Sequence, residues 1–499
     1  MTKPIAQRAV RASAFNVAAN LIQAAIEFGR SVALARLLDP EAFGVYGYAG
    51  SWIAATATVA SFGLGSGLLH RAPESEGELA LRVHFTLSQT FSLVWAVALA
   101  AAALFLIPDT MPAHTVWVLW IMIGSSLVSG LSETTRILLV RRVVFRRIAL
   151  MNTLYAVLST AVAVTMAWQG FGVWSLVATN VVRAVLNTVG YLIYRPAWRP
   201  RVGWSGDVAR YLLDFGRKSF LASILSRALD QVDDLWTGTV LGDASLGLYG
   251  RAYRFATYPR SVLAAPLNAV ASGTYAELKG QRKRLSQAFF RVNAFLVRTG
   301  FLAAGLLALT APELIRILLG AKWAGMILTF RLMLLFTLLD PIKGTIASLF
   351  VAEGCPEKTM RARAVQLAVL VAGLLLLGPR YGIEGVAVAV DLMLAVGIVL
   401  LLWQARAHVD ITVPRLFAAP TVALIIAMAA GRGAIELPGV MGADWRTGAV
   451  KAALFLPLYA GILFALERKQ LHLVIETARK MLPDSFLDHT LINRLRRRI

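Results

Sequence analysis

Residues 35–71 read ARLLDPEAFGVYGYAGSWIAATATVASFGLGSGLLHR. A turn at Asp39 and Pro40 leads into a long run of mostly apolar residues, interrupted only by small polar ones. A helix that crosses a bilayer needs about 20 such residues. The stretch therefore predicts a turn at one membrane surface, followed by a membrane-spanning helix and a glycine-rich exit that ends in Arg71.

The rest of the chain has the same character. It has 499 residues, of which 58% are hydrophobic and 16% are charged, against roughly 45–50% and 25% in soluble proteins. The excess is too large for one globular core, so we expect an all-α polytopic membrane protein. About fourteen spans are predicted, near 14–35, 43–69, 84–106, 115–140, 148–168, 172–194, 219–241, 246–272, 289–309, 325–351, 364–378, 383–403, 416–431 and 449–466.

The net charge of +22 is distributed as the positive-inside rule requires. With the N-terminus in the cytoplasm, the inner connections hold 32 Lys and Arg residues and the outer ones hold 6. This alternation predicts that both termini are cytoplasmic, and it removes the reason to expect a nucleic-acid partner. The basic end RLRRRI (494–499) suits either contact with anionic membrane lipids or simple topological anchoring.

Motifs of enzymes and metal sites are missing from the sequence. Cys355 is the one cysteine, and the six histidines show no metal-ligand spacing. There is no phosphate loop, no HExxH and no GxSxG. We therefore expect no cofactor, no metal and no enzymatic activity. A polytopic glycosyltransferase or polysaccharide polymerase stays the alternative of another class, although the longest outer loop, 432–448, holds only two acids.

Two stretches outside the spans have helical spacing of apolar residues. Residues 195–218 place Val208 and Leu212 on one side, and the tail from 467 does the same among charges. Such patterns are typical of amphipathic helices that lie in the membrane interface. We expect both stretches on the cytoplasmic surface.

The chain contains an internal duplication. LDPEAFGVYGYA (38–49) matches LGDASLGLYGRA (241–252) without a gap, at an offset of 203 residues. A second, shorter duplicated motif pairs residues 171–173 with residues 381–383 at an offset of 210. Both offsets correspond to six spans, which predicts two six-helix lobes related as parallel repeats. The predicted domains are 1–218 and 219–415 for the lobes, and 416–499 for two extra helices and the tail.

The stretch 35–71 resembles the first helical hairpin of bacterial polysaccharide (Wzx-type) flippases. These belong to the multidrug/oligosaccharidyl-lipid/polysaccharide exporter superfamily. The resemblance rests on the L-x-P-x-x-F-G turn at Leu38, Pro40, Phe43 and Gly44, and on the glycine turns at 171–173 and 381–383. It covers roughly residues 10–405.

The resemblance implies a flippase in the bacterial inner membrane. Its cargo would be a lipid-linked (undecaprenyl-pyrophosphate) oligosaccharide for O-antigen, capsule or exopolysaccharide synthesis, moved by alternating access. Its partners would include a polysaccharide polymerase, other assembly proteins and a coupling cation, H⁺ or Na⁺. A drug or small-solute antiporter and a peptidoglycan-precursor flippase of the same superfamily remain alternatives.

Many charged residues fall inside the predicted spans, where each costs about 2.5–3.5 kcal/mol on insertion scales and so tends to face a cavity or a partner. Arginine binds phosphate oxygens through two parallel hydrogen bonds. The predicted substrate-binding residues are Arg30, Arg183, Arg227, Arg254 and Arg298. The predicted coupling or gating residues are Glu27, Asp230, Asp233 and Asp234.

Mutual neutralisation is the alternative role for these charges. Glu27 and Arg30 are three positions apart, as are Glu133 and Arg136, and such pairs share a helical face. The 203-residue offset also makes Glu27 equivalent to Asp230. We expect these two acids, each with an arginine three positions away, to face each other and to exchange partners during transport.

The topology is tested by labelling single cysteines in a Cys355→Ser background. We expect Asp109→Cys and Asp243→Cys to react with an impermeant maleimide from the outer side, and Arg284→Cys only from the inner side, because the basic loops stay in the cytoplasm. Labelling of Asp243→Cys from the cytoplasmic side alone would contradict the orientation.

Overall fold

The computed structural model describes residues 22–70, 77–109, 111–142, 144–194, 196–433 and 444–467, and no strand occurs among them. The first helices are α1 (22–37), α2 (Pro40–Ser61), α3 (Leu64–His70), α4 (Gly77–Leu106), α5 (Thr115–Gly130), α6 (Glu133–Arg141), α7 (Phe145–Trp168) and α8 (Val173–Thr188). The others are α9 (Gly206–Leu241), α10 (Asp243–Glu277), α11 (Arg282–Leu318), α12 (Ile327–Glu353), α13 (Glu357–Ala405), α14 (Val413–Gly433) and α15 (Trp445–Leu466).

Eight helices of the described part are long and apolar enough to cross a membrane, or ten if each of two bent pairs is one span. The bent pairs are α2 with α3, at 49°, and α5 with α6, at 45°. One of the eight, α13, has 49 residues and covers two predicted spans. The protein is therefore an all-helical polytopic membrane protein, as predicted, and these helices are consistent with fourteen spans.

The two glycines of the second duplicated motif share one unusual backbone conformation. Gly172 begins α8 with φ 55° and ψ −130°, and Gly382 interrupts α13 with φ 57° and ψ −139°. Residues with a Cβ avoid this region, so glycine is required at both turns. The break at Gly382 divides α13 into the two spans that the sequence predicts.

The described residues form two compact units. The first holds those up to Phe255 together with Ile315–Met333 and Met360–Gly397. The second holds Ala256–Leu314, Leu334–Thr359 and those from Ile398 onwards. This division follows packing and does not use the predicted boundaries at 218 and 415, which remain a prediction.

Helix α9 corrects one detail of the sequence analysis. The predicted amphipathic stretch around Val208 and Leu212 is the first part of this 36-residue helix and continues directly into the seventh span. Its apolar face is buried against Leu64 and Leu68 of α3, so it is covered by protein. The predicted helix of the tail lies outside the described residues, except for Glu467.

The duplicated turns pack against each other within the first unit. A Cβ added to Gly44 would overlap the carbonyl of Asp243, and one added to Gly247 would overlap the carbonyl of Pro40. Under the 203-residue offset, Gly44 is equivalent to Gly247 and Pro40 is equivalent to Asp243, so the two contacts are equivalent. The starts of α2 and α10 thus make a reciprocal contact, as the two copies of a surface do around a two-fold axis.

Two buried ion pairs join α11 to the end helix α15 in the second unit. Lys451 lies 2.5 Å from Glu313, and both side chains are almost fully buried. Arg298 lies 2.5 Å from Glu467, with 3% of its side chain exposed. Each pair compensates charges that would be costly to bury alone.

Gly44→Ala and Gly247→Ala test the reciprocal contact. Each variant should lower the melting temperature of the detergent-solubilised protein, because a Cβ forces the two helix starts apart at a cost of about 1–3 kcal/mol. Thermal unfolding followed by fluorescence size-exclusion is the measurement. Gly250→Ala is the matched control on the same helix, where an added Cβ meets no atom within 4 Å. Gly250→Ala should leave the melting temperature unchanged or raise it, since alanine has the higher helix propensity. An equal loss of stability in Gly250→Ala would contradict the role of the contact.

Candidate functional site

Helix α1 supplies the polar wall of a cavity in the first unit. Glu27, Arg30 and Ser31 follow one another at helical spacing and line it together with residues from α2, α7, α8 and α10. Its volume is about 200 Å³. This wall of the cavity is therefore polar, and the cavity itself is partly open.

The cavity brings together three of the predicted substrate-binding arginines, Arg30, Arg183 and Arg254. Arg251 joins them one helical turn before Arg254. Among the described residues that line the cavity, Glu27 is the one carboxylate, so these residues carry an excess of three positive charges. An anion is the ligand that this balance favours.

Tyr155 supports two of these guanidinium groups. The Arg183 group lies 4.2 Å from the ring centroid of Tyr155, and the Arg30 group lies 5.9 Å from it. Arg30 also donates a 2.5 Å hydrogen bond to Ser159, one turn further along α7. The ring quadrupole and a hydroxyl oxygen thus stabilise the two cations without neutralising them.

The predicted local ion pairs have different outcomes. Glu133 and Arg136 form theirs at 2.7 Å, as expected. Arg30 instead reaches α7, and Glu27 accepts a hydrogen bond from Gln23 at 3.2 Å. Glu27 is thus hydrogen-bonded within α1 and also lines the cavity.

Three of the predicted coupling acids lie on α9, and two of them, Asp233 and Asp234, contact α10 and α2. Asp233 is buried and accepts a 2.5 Å hydrogen bond from the Tyr249 hydroxyl. Asp234 accepts one from Ser51 at 3.2 Å. These contacts give both acids neutral hydroxyl partners. Their role in coupling remains a prediction.

The remaining predicted site residues lie elsewhere. Arg227 and Asp230 occupy exposed positions on α9 and do not line the cavity. The pairing of Asp230 with Glu27 stays a prediction. Arg298 belongs to the second unit, where it is buried and ion-paired with Glu467. This ion pair joins α11 to the residue that follows α15, and a role of Arg298 in substrate binding stays a prediction.

Sequence reasoning missed several groups that shape the cavity. Arg251 was left out of the predicted site, although its spacing from Arg254 puts both on one face of α10. Tyr46 and Asn180 also line it, and the Asn180 amide donates to the Tyr46 hydroxyl at 3.2 Å. Neutral residues such as these carry no signal of their own in an apolar sequence. Among the described residues, no three His, Cys, Asp or Glu side chains form a group that could hold a metal ion.

Solved structures with the same fold are membrane transporters. The chain superposes on a lipid II flippase, MurJ, in an inward closed conformation with a TM-score of 0.70 and 15% identity, over 90% of this chain and 99% of that one. It also superposes on an inward-facing multidrug resistance MATE family transporter of the MOP superfamily, with a TM-score of 0.62 and 16% identity, over 77% and 94% of the two chains. At these identities the likeness shows the fold alone.

Curated relatives come from polysaccharide biosynthesis. The succinoglycan biosynthesis transport protein ExoT of Rhizobium meliloti (strain 1021) is 29% identical over 58% of this chain. The amylovoran biosynthesis protein AmsL of Erwinia amylovora is 24% identical over 38% of it. The matched parts span 58% and 50% of the length of those relatives.

The model of one protein family, described as polysaccharide biosynthesis protein, matches residues 33–328. That range begins just before the turn at Asp39 and includes both copies of the first duplicated motif, 38–49 and 241–252. It also includes every cavity-lining residue except Glu27, Arg30 and Ser31. With this match over more than half of its length, the chain belongs to the polysaccharide biosynthesis protein family.

Proposed function

We propose that this protein is a flippase that moves lipid-linked oligosaccharides, carried on undecaprenyl pyrophosphate, across the bacterial inner membrane. The observation that carries the proposal is the cavity with Arg30, Arg183, Arg251 and Arg254 in an apolar bundle. A lipid pyrophosphate brings several negative charges, and guanidinium groups bind phosphate oxygens with two hydrogen bonds each. The relatives in succinoglycan and amylovoran biosynthesis support a polysaccharide precursor as the cargo.

The size of the cavity favours one part of the cargo as the bound group. Pockets that enclose a whole drug-sized ligand have volumes of about 300–1,000 Å³, and this cavity has about 200 Å³. It suits the pyrophosphate group and leaves the oligosaccharide outside. Selection by the headgroup would let one site serve different sugar units.

The same chemistry weighs against two of the alternatives. A drug antiporter that exports organic cations needs an acidic or aromatic cavity, and the excess of three positive charges here would repel such a substrate. An enzyme that forms or breaks glycosidic bonds needs positioned acids, and the cavity offers Glu27 alone. A peptidoglycan-precursor flippase would bind the same pyrophosphate group. The cavity therefore does not distinguish this alternative from the proposed function, and only the identity of the cargo does.

Coupling to an ion is a further part of the proposal. Glu27 lies among the arginines, while Asp233 and Asp234 lie on the neighbouring α9. We propose that these acids and Asp230 respond to H⁺ or Na⁺ when the cargo leaves. A polysaccharide polymerase and other assembly proteins on the outer side would then consume the cargo.

A deletion strain tests the cargo. We expect surface polysaccharide to disappear and its lipid-linked unit to accumulate in the inner leaflet, because synthesis of the unit continues while its translocation stops. Extraction of lipid-linked units and staining of surface polysaccharide are the measurements. Loss of polysaccharide with accumulation of a peptidoglycan precursor instead would favour the peptidoglycan alternative.

Arginine substitutions in the complemented strain test the site. Arg30→Ala, Arg183→Ala and Arg254→Ala should each weaken pyrophosphate binding about tenfold to a hundredfold, because charge-assisted hydrogen bonds are lost. The lysine variants should keep part of the export, since the charge survives without the bidentate fork. Export is scaled to the amount of folded protein in the membrane.

Arg446→Ala is the matched control for these variants. Arg446 is an exposed arginine at the start of α15 that stacks on Trp445, far along the chain from the cavity helices. It should export normally. Normal export by all three cavity variants at normal expression would rule out the proposed site.

A further inference from the structure

The turn between α11 and α12 packs against the turn between α1 and α2 within the first unit. Helix α11 ends at Leu318, and the guanidinium of Arg36 donates to the carbonyls of Ile317 and Leu318, the second at 2.8 Å. The last carbonyls of a helix lack partners in the helix itself, and a cation there also meets the negative end of the helix dipole. Arg36 therefore caps α11.

Two residues of the second turn complete the contact. The Lys322 ammonium lies 3.1 Å from the Asp39 carboxylate and donates to the Arg36 carbonyl at 3.2 Å. The Trp323 indole is fully buried and donates to the Ala35 carbonyl at 2.8 Å. We name the two turns, residues 35–39 and 317–323, the latch. The charge pattern predicts that both turns face the outer side.

One aromatic ring connects the latch to the arginine cavity. Phe43 lines the cavity and packs edge-to-face with Trp323 at a centroid distance of 5.4 Å. The Arg251 guanidinium lies 4.2 Å from the ring centroid of Phe43 and donates a 3.0 Å hydrogen bond to Ser31. Arg251 thus contacts both the cavity and the residue that supports Trp323.

The duplication shows what is unusual at this position. The 203-residue offset makes Arg251 equivalent to Tyr48. Tyr48 also contacts the first helix of the other repeat, where its hydroxyl lies 3.0 Å from Thr239 of α9. A neutral tyrosine keeps this contact whatever the cavity holds. An arginine at the same place can be drawn away by an anion.

We propose that Arg251 is a positioning residue that couples the occupancy of the cavity to the latch. In the empty protein its guanidinium holds Phe43 against Trp323 and keeps the latch closed. An anion in the cavity competes for the guanidinium, which leaves Phe43 and Ser31, and the latch then opens outward. The inference rests on the proposed function only for the identity of the anion, since the closed contact itself needs no ligand.

Cross-linking across the latch tests the coupling. In a Cys355→Ser background, the exposed latch residues Leu37 and Ala321 are changed to cysteine, which keeps the Asp39–Lys322 ion pair. This parent pair is treated with a short bis-maleimide, and the initial cross-linking rate is measured. Arg251→Gln should lower this rate about threefold or more without any ligand, because a cation–π contact that stabilises the closed state is removed. Arg251→Lys should keep most of the parent rate, since the ammonium can still lie over the ring.

Inorganic pyrophosphate is the probe for the second part of the same experiment. It should lower the cross-linking rate of the parent pair and leave that of Arg251→Gln unchanged. If pyrophosphate has no effect on the parent while Arg251→Gln still slows cross-linking, Arg251 holds the latch and the proposed anion site fails.

Arg446→Gln is the control for losing an arginine from an aromatic ring, and it should cross-link at the parent rate. Thermal unfolding of each variant separates a lost contact from general destabilisation. A parent rate in folded Arg251→Gln protein would overturn the coupling, whatever pyrophosphate does.

Discussion

The contact between the starts of α2 and α10 sets the positions of the elements around the cavity. Gly44 and Gly247 allow two helix backbones to approach more closely than any residue with a Cβ would permit. Because the contact is reciprocal, the helix that precedes each of these starts, α1 or α9, contacts a helix of the opposite repeat. Tyr48 of α2 reaches α9, and Arg251 of α10 reaches α1. The arginine cavity lies beside this crossing, where α1, α2 and α10 meet α7 and α8.

A cationic cavity in a membrane protein needs stabilisation that does not cancel its charge. Here the arginines use a tyrosine ring, a phenylalanine ring and two serine hydroxyls. Each such contact contributes a modest amount, about 0.5–2 kcal/mol for a cation over a ring. Carboxylate partners occur at two buried cations of the second unit, Arg298 on Glu467 and Lys451 on Glu313.

Much of the fold could be predicted from the sequence because its signals are local. The apolar runs predicted the helices, the glycine turns predicted the breaks between them, and the duplication predicted the repeat. The similar backbone angles at Gly172 and Gly382 confirm the second duplicated motif. Three of the five predicted arginines line the cavity. Arg298 does not, because its partner Glu467 lies 169 residues away and no local pattern shows such a pair. Arg251 was missed because its contacts, Phe43 and Ser31, lie in the other repeat.

Transport in reconstituted vesicles tests the central claim, that an arginine cavity carries the pyrophosphate group of a lipid-linked oligosaccharide across the bilayer. The measurement is the rate at which an undecaprenyl-pyrophosphate oligosaccharide changes leaflet, compared with a neutral polyprenyl oligosaccharide of the same sugar. We expect fast exchange of the pyrophosphate lipid with the parent protein, slow exchange with folded Arg30→Ala or Arg254→Ala, and no catalysed exchange of the neutral lipid. Equal rates for the two lipids, or an unchanged rate in the arginine variants, would contradict it.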